Sequence, residues 1–415
     1  MLNLKRALIL LAVLALCVAV PAFAAPTAPV GSVLSVGTGG GPQVGVYPDG
    51  RFVVVWNAPS PATLFARFFD PNGVATSGAI QLLRPAGQIL DSVATLPTGG
   101  FVAVWDQKDA SGIYRVLARV FDLAGVPVSA PFKVHGNSPY VRCCAVVATA
   151  PDGGFAVEWT AYAGNLGEFN TYATLLNRFF DRTGHPLGAP PADPVLQPLP
   201  DLGRAFVDTV VVTPQGAFSD VWLDEADDVN LQWSRRGKPG FPGGYGGFQT
   251  SARDDANNYG ADLATTAAVI QPGGGFVLAW ASGLQDFPGA SPVSSIFTQR
   301  FDALGNAIGR SPGKASLESS WAIEPHLANL PDGGFVTIWT QAPSRASFDG
   351  VLHGRTFSAA GRPSTAEYRL GTVPAGNQYQ AVLASGANGQ VVAAWSQVDT
   401  KGILRVYARI LRPTQ

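Results

Sequence analysis

Methionine is nearly missing from this chain, with one residue in 415. Methionine is a good helix former, so its scarcity counts against a helical protein. Cysteine is scarce as well: of three residues, only Cys143 and Cys144 lie beyond the N-terminal leader. Neighbouring residues on a strand point to opposite faces, so these two are not expected to clamp one metal ion. A neighbouring-residue disulfide is open to them, and two small buried thiols are the simpler reading. There is no excess of charge of either sign, with 28 Lys+Arg against 29 Asp+Glu. A net charge of -1 excludes a nucleic-acid footprint and a polybasic membrane surface. The four histidines, His135, His185, His326 and His353, are scattered without metal spacing. No nucleophile elbow and no phosphate loop occurs. Helical periodicity is absent, and one long hydrophobic run, Ala7 to Val20, is short for a membrane span.

That run lies in Met1 to Ala24, which reads as a secretory signal. Lys5 and Arg6 precede the apolar core, and Ala22-Phe23-Ala24 forms a cleavage site. Leu16 stands before Cys17 where a lipoprotein signal carries a small residue, so cleavage near Ala24 is expected rather than lipidation. The expectation is a secreted or periplasmic protein with no transmembrane segment.

What the chain has in plenty is glycine, 48 residues, and proline, 33, and both mark repeated turns. The repeat is seen most clearly in Pro331-Asp332-Gly333-Gly334-Phe335-Val336-Thr337-Ile338-Trp339. Closing tryptophans recur at Trp56, Trp105, Trp159, Trp222, Trp280, Trp339 and Trp395, spaced 49, 54, 63, 58, 59 and 56 residues apart. Four residues before each stands Phe52, Phe101, Phe155, Phe218, Phe276, Phe335 or Val391. A period near 55 signals a repeat architecture. In the second copy the strand-like runs are Ser92 to Leu96, Phe101 to Trp105, Tyr114 to Phe121 and Pro127 to Val134. Asp122-Leu123-Ala124-Gly125 joins the last two, and Asp70, Asp181 and Asp302 start equivalent turns.

Four antiparallel strands per repeat is the pattern of a β-propeller blade. The last copy supplies three strands and stops, while Thr27 to Val36 reads like a missing fourth. The fold expected is therefore all-β: residues 25–415 as one seven-bladed β-propeller, with the N-terminal strand, about 27–36, completing the last blade. The period is too short for tandem β-sandwiches, which need about 100 residues each.

Arginine recurs at Arg67, Arg119, Arg178, Arg300, Arg355 and Arg409, with Arg235 in the fourth copy. Equal placement in each copy points to bonding of backbone carbonyls. From each Trp to this Arg the chain runs 11, 14, 19, 13, 20, 16 and 14 residues. Antiparallel topology puts these variable connections on one face, the candidate site. Its ligand-binding candidates are Tyr162, Phe169, Tyr172, Phe287 and Phe348, which stack on sugar rings or else pack their own loops. Asp91 and Asp208 share one repeat position, and Glu324 lies near it. These three are the catalytic candidates, as channel-mouth carboxylates for acid–base work, with strand capping the simpler role. Asp224, Asp227 and Asp228 are the metal candidates, for Ca²⁺ alone, although they lack the spacing and glycine of a calcium loop.

The Leu330-Pro331-Asp332-Gly333-Gly334-Phe335…Trp339 motif and the Arg300-Phe301-Asp302-Ala303-Leu304-Gly305 motif resemble repeats of large secreted bacterial surface proteins, found beside adhesion modules or calcium-binding toxin-type repeats. The resemblance covers nearly all of the chain after the leader and implies a binding or adhesion role. The Asp/Gly-rich calcium nonapeptides are not present, so no cofactor is carried over. The expectation is a monomeric binding module for a glycan or surface polymer. A protein-interaction scaffold in the cell envelope, or a propeller hydrolase or lyase, is the alternative.

Overall fold

In six of the sheets the described side chains of the second strand are buried on both faces, and that burial shapes the fold. In Phe52–Asn57 the residues from Phe52 to Trp56 are at most 2% exposed. Phe101–Lys108, Phe335–Ala342 and Val391–Val398 are buried in the same way. A strand with no polar face needs a neighbour on each side.

The computed structural model describes residues 26–59, 63–83, 87–136, 141–150, 152–163, 172–188, 205–212, 218–224, 230–236, 247–250, 266–271, 275–282, 293–302, 306–317, 320–344, 350–371 and 377–413. Side chains of 141, 162–163, 172–175, 205–250, 266, 282 and 310–311 are outside the description. The described residues contain strands and turns and no helix, and hence no helix long and apolar enough to cross a membrane.

Among the described residues the strands form seven four-stranded antiparallel sheets. The first strands of the sheets are Gly40–Val46, Gln88–Thr95, Val141–Thr149, Ala205–Val212, Thr266–Ile270, Trp321–Asn329 and Gln378–Ser385. Each of them touches the first strand of the next sheet, and Gly40–Val46 also touches Gln378–Ser385 and Val391–Val398 of the seventh sheet. The fourth strands of most sheets are shorter than the sequence pattern suggests. In the second sheet the fourth strand is Phe132–Lys133, preceded by a single bridge from Phe121 to Pro127. The seventh sheet takes its outer strand from the N-terminus, where Thr27–Thr38 pairs antiparallel with Leu404–Pro413.

The repeat motif has a physical reason at each position. The motif Phe stacks on a third-strand Phe: Phe52 on Phe69 at 4.8 Å, Phe101 on Phe121 at 4.9 Å, and Phe335 on Phe357 at 4.8 Å between centroids. Of the paired turn glycines, the first supplies a positive φ, 81° at Gly333. The second lets the turn approach the third-strand backbone closely, since a Cβ on Gly154 or Gly334 would lie 2.5 Å from the carbonyl oxygen of Phe180 or Phe357. Asp122 Oδ1 accepts from the N–H groups of Ala124 and Val126 at 2.9 and 2.8 Å, which closes the turn to the fourth strand.

The recurring arginines bond carbonyls across the gap between sheets. Arg67 Nη1 donates to Val36 O at 3.0 Å, Arg178 Nη1 to Val134 O at 3.4 Å, Arg355 Nη1 to Ala315 O at 3.4 Å and Arg409 Nη1 to Leu370 O at 2.7 Å. One planar donor per repeat thus ties each of these sheets to its neighbour.

Candidate functional site

A β-bulge interrupts the first strand in six of the sheets, and each lies opposite the repeat tryptophan. Asp91 and Asp208 are the extra residues in the second and fourth sheets. Elsewhere the bulge holds a pair: Gly41 and Pro42, Cys144 and Ala145, Glu324 and Pro325, Gln380 and Ala381. Three of these are non-glycine residues at positive φ: Cys144 at 62°, Glu324 at 53° and Gln380 at 51°. That region costs an ordinary side chain about 1 kcal/mol or more, so the surrounding sheets enforce it. The bulges sit where the first strand begins and the second ends, beside the variable connections.

In three sheets the residue after the tryptophan reaches the bulge of the next sheet. Asn57 Oδ1 accepts from Leu90 N at 3.2 Å, Asp106 Oδ2 from Cys144 N at 3.3 Å and Ser396 Oγ from Gly41 N at 3.0 Å. Gln380 Oε1 accepts from Gly41 N at 3.0 Å and from Ser396 Oγ at 2.9 Å, which leaves that junction satisfied.

The junction of the second and third sheets is different in kind. Asp91 and Asp106 are both buried and bond each other by their side chains. Asp91 Oδ2 and Asp106 Oδ1 meet no other protein donor and no solvent. Two carboxylates accept only, so the contact requires one shared proton. Burial pushes Asp106 up to about 7, against the hydrogen bonds from Asp91 and from Cys144 N–H. Burial first, then the Asp106 charge, push Asp91 well above the usual carboxylate range, and Ala145 N–H opposes them.

Cys143 and Cys144, both on the third sheet, form a disulfide beside this junction, so the expectation of two separate thiols is corrected. The reason is the bulge. The left-handed turn at Cys144 breaks the alternation of the strand and brings both sulfurs to one side.

Asp91 and Glu324 stand on different sheets, each engaged by its own neighbour. Thr340 Oγ1 donates to Glu324 Oε2 at 3.4 Å, and burial raises the Glu324 carboxyl against that bond. Asp208 is on the strand Ala205–Val212, with its side chain outside the described residues. Tyr162 and Tyr172 lie on the strands Phe155–Ala163 and Tyr172–Phe180, so they are strand residues by backbone, with undescribed side chains. Phe169, Phe287 and Phe348, like Asp227 and Asp228, lie outside the described residues, and Asp224 ends the strand Phe218–Asp224. Among the described residues no group of three or more His, Cys, Asp or Glu is placed to hold a metal ion.

Sequence reasoning passed over Asp106. Its signal was the position after the repeat tryptophan, which is polar in five copies: Asn57, Asp106, Thr160, Thr340 and Ser396.

No family model matches this chain, and neither does any curated protein. Solved structures match it weakly and at low identity. A protein of unknown function from Dyadobacter fermentans is 12% identical, with 94% of this chain and 100% of that chain covered and a TM-score of 0.48. The Trypanosoma rangeli sialidase, solved with the inhibitor DANA, is 10% identical over 83% of this chain and 57% of its own, at 0.45. An ulvan lyase from a polysaccharide lyase family is 8% identical over 80% and 81%, at 0.49.

The shared proton has a measurable consequence. A carboxyl whose folded pKa is raised adds stability that is fully present below its unfolded pKa near 3.9, and that is lost as pH rises through the folded value. For Asp106 the loss runs from about pH 4 to beyond about 7. Asp106→Asn keeps a hydrogen bond to Asp91 and cannot ionise. The variant is expected to be more stable than the wild type at pH 8 by at least about 1 kcal/mol. The advantage shrinks towards pH 4, as read from urea midpoints across that range. Buried His135 and His326, held down to about 4, titrate in both proteins and cancel in the difference. An advantage that does not change with pH would refute the shared proton.

Proposed function

We propose that the sheets form a seven-bladed β-propeller, closed by the N-terminal strand, which acts as an exported binding module for a glycan or surface polymer. The observation that carries this reading is the bulge series. Turn, Phe, Trp and Arg positions repeat from sheet to sheet, whereas the two residues opposite the Trp of six sheets vary: Gly41 and Pro42, Leu90 and Asp91, Cys144 and Ala145, Val207 and Asp208, Glu324 and Pro325, Gln380 and Ala381. A constant scaffold with varied side chains at one end suits recognition rather than repeat packing. The variable connections emerge at the same end, with Tyr162, Phe169, Tyr172, Phe287 and Phe348 on or near them.

The test is a broad glycan array with the chain from Ala25 to Gln415. Selective binding is expected, with a loss of about tenfold or more when Tyr162, Tyr172 or Phe287 becomes alanine. A blank array would sink polymer recognition and favour an envelope protein partner, sought by pull-down from the native envelope.

The proton shared by Asp91 and Asp106 favours a second reading, a hydrolase or lyase using this pair as acid and base. Its oxygens are closed to solvent, so the binding reading is preferred. Turnover of an array-positive glycan that Asp106→Asn abolishes would reverse the preference.

A further inference from the structure

The one disulfide among the described residues joins neighbours in the chain, and three observations deny it a structural task. The first is the backbone. Cys144 sits at a φ of 62°, and Glu324 and Gln380 take the same place in the sixth and seventh sheets at 53° and 51° with no cross-link. The sheets therefore make this turn without sulfur chemistry.

The second is the set of bonds that hold the bulge. Cys144 N–H donates to Asp106 Oδ2 at 3.3 Å, Ala145 N–H to the Asp91 carboxyl, and Val147 N–H to Ser92 Oγ at 3.3 Å. All three acceptors belong to the second sheet, and none of these bonds involves a sulfur. The third is the loop that the disulfide closes. A disulfide stabilises chiefly by restricting the unfolded chain, and the gain grows with the number of residues enclosed. Adjacent residues enclose the fewest.

The pair is also within reach of a reactant from one side. Cys143 is 3% exposed, whereas Cys144 is half-buried, at the end where the variable connections emerge. Attack therefore falls on Cys144.

We infer that Cys143 and Cys144 form a reversible thiol–disulfide exchange site whose co-reactant is an external dithiol. A thiolate of the dithiol attacks Cys144 Sγ, the bond between the two cysteines breaks, and Cys143 leaves as a thiolate and takes a proton. The second thiolate of the dithiol then attacks the sulfur of the first. The dithiol closes into a disulfide, and Cys144 leaves as a thiolate and takes a proton. Two electrons and two protons pass from the dithiol to the protein, and the reverse sequence returns them.

Adjacency selects a dithiol over a monothiol. In a mixed disulfide on Cys144 the Cys143 thiol is the preceding residue, kept on the same side by the bulge. Its high effective concentration expels a monothiol before a second one arrives. A dithiol escapes by closing its own ring. Neither step uses a glycan, so the site stands apart from the binding reading.

The experiment follows the free thiols of the folded chain from Ala25 to Gln415, whose cysteines are these two alone. With dithiothreitol, both thiols are expected to appear together, at a rate within about tenfold of that for the urea-unfolded chain. Oxidised dithiothreitol should remove both. Reduction that waits for global unfolding would be slower by about a thousandfold or more, and would overturn the inference. The reduced protein should keep its cooperative thermal transition, and loss of that transition would show the bond to be structural instead. Glutathione at equal thiolate concentration should leave no lasting adduct, and a stable mixed disulfide in the mass spectrum would overturn the choice of a dithiol. Cys143→Ser leaves the Cys144 thiol, which iodoacetamide should alkylate about tenfold faster than it alkylates Cys143 in Cys144→Ser. Equal rates would overturn attack at Cys144. If either variant fails to fold, the reduction rate and the thermal transition of the wild type decide.

Discussion

Replacing Trp339 by alanine is expected to cost about 3–5 kcal/mol of stability, the usual figure for truncating a buried aromatic. Trp339 is 0% exposed and belongs to a core shared by the fifth and sixth sheets, with Ala267, Val277, Trp321 and Phe335. Its indole Nε1 donates to Gln341 Oε1 at 2.8 Å, and its ring meets His353 at 6.3 Å. His353 is itself fixed by Glu367 at 2.5 Å. A cavity bounded by two sheets collapses little, so the cost should fall in the upper part of the range. Trp339→Phe fills most of the space and loses the indole donor, for about 1–3 kcal/mol. Urea unfolding with an unchanged slope would give both values. A loss below about 1 kcal/mol for the alanine variant would contradict burial between two sheets.

Deleting Thr27–Thr38 should be more damaging still. The strand pairs with Leu404–Pro413 along its length. It also supplies acceptors to side chains on three sheets: Gly31 O to Arg409 Nη2 at 3.2 Å, Val36 O to Arg67 Nη1 at 3.0 Å, Thr38 O to Trp56 Nε1 at 3.0 Å, and Thr27 O to Thr356 Oγ1. Without it, these four bonds, worth about 1 kcal/mol each, and a whole strand ladder are lost. The edge Leu404–Pro413 would be left open to pair with other copies. The expected outcome is loss of a cooperative thermal transition and aggregation on size-exclusion chromatography. A truncated chain that melts as the full one does would show that the strand is an ornament.

Much of this architecture was legible in the primary structure because it repeats. The Phe-to-Trp strand, the Asp-to-Gly turn and the arginine each answer the same backbone geometry in copy after copy, so comparing the copies separates what packing requires from what varies. The carboxylates were harder to read. Asp91 and Asp208 stood out at one repeat position, but the partner of Asp91 is Asp106, on the neighbouring strand of its own sheet. That pairing depends on a bulge, which shifts register by one residue and is invisible in a hydrophobic pattern.

The sequence by itself determined the strand content, the turn chemistry and the repeat, because these rest on local sterics and on apolar residues that demand cover. Only the tertiary structure decided what the junctions between sheets do. Cys143 meets Cys144 through a left-handed residue that no composition reveals. Asp106 looks like any other polar residue after a repeat tryptophan, and only its bonds to Asp91 and to Cys144 N of the next sheet set it apart. Such differences arise from how far two sheets stand from each other, which is a property of the assembled fold and of no single repeat.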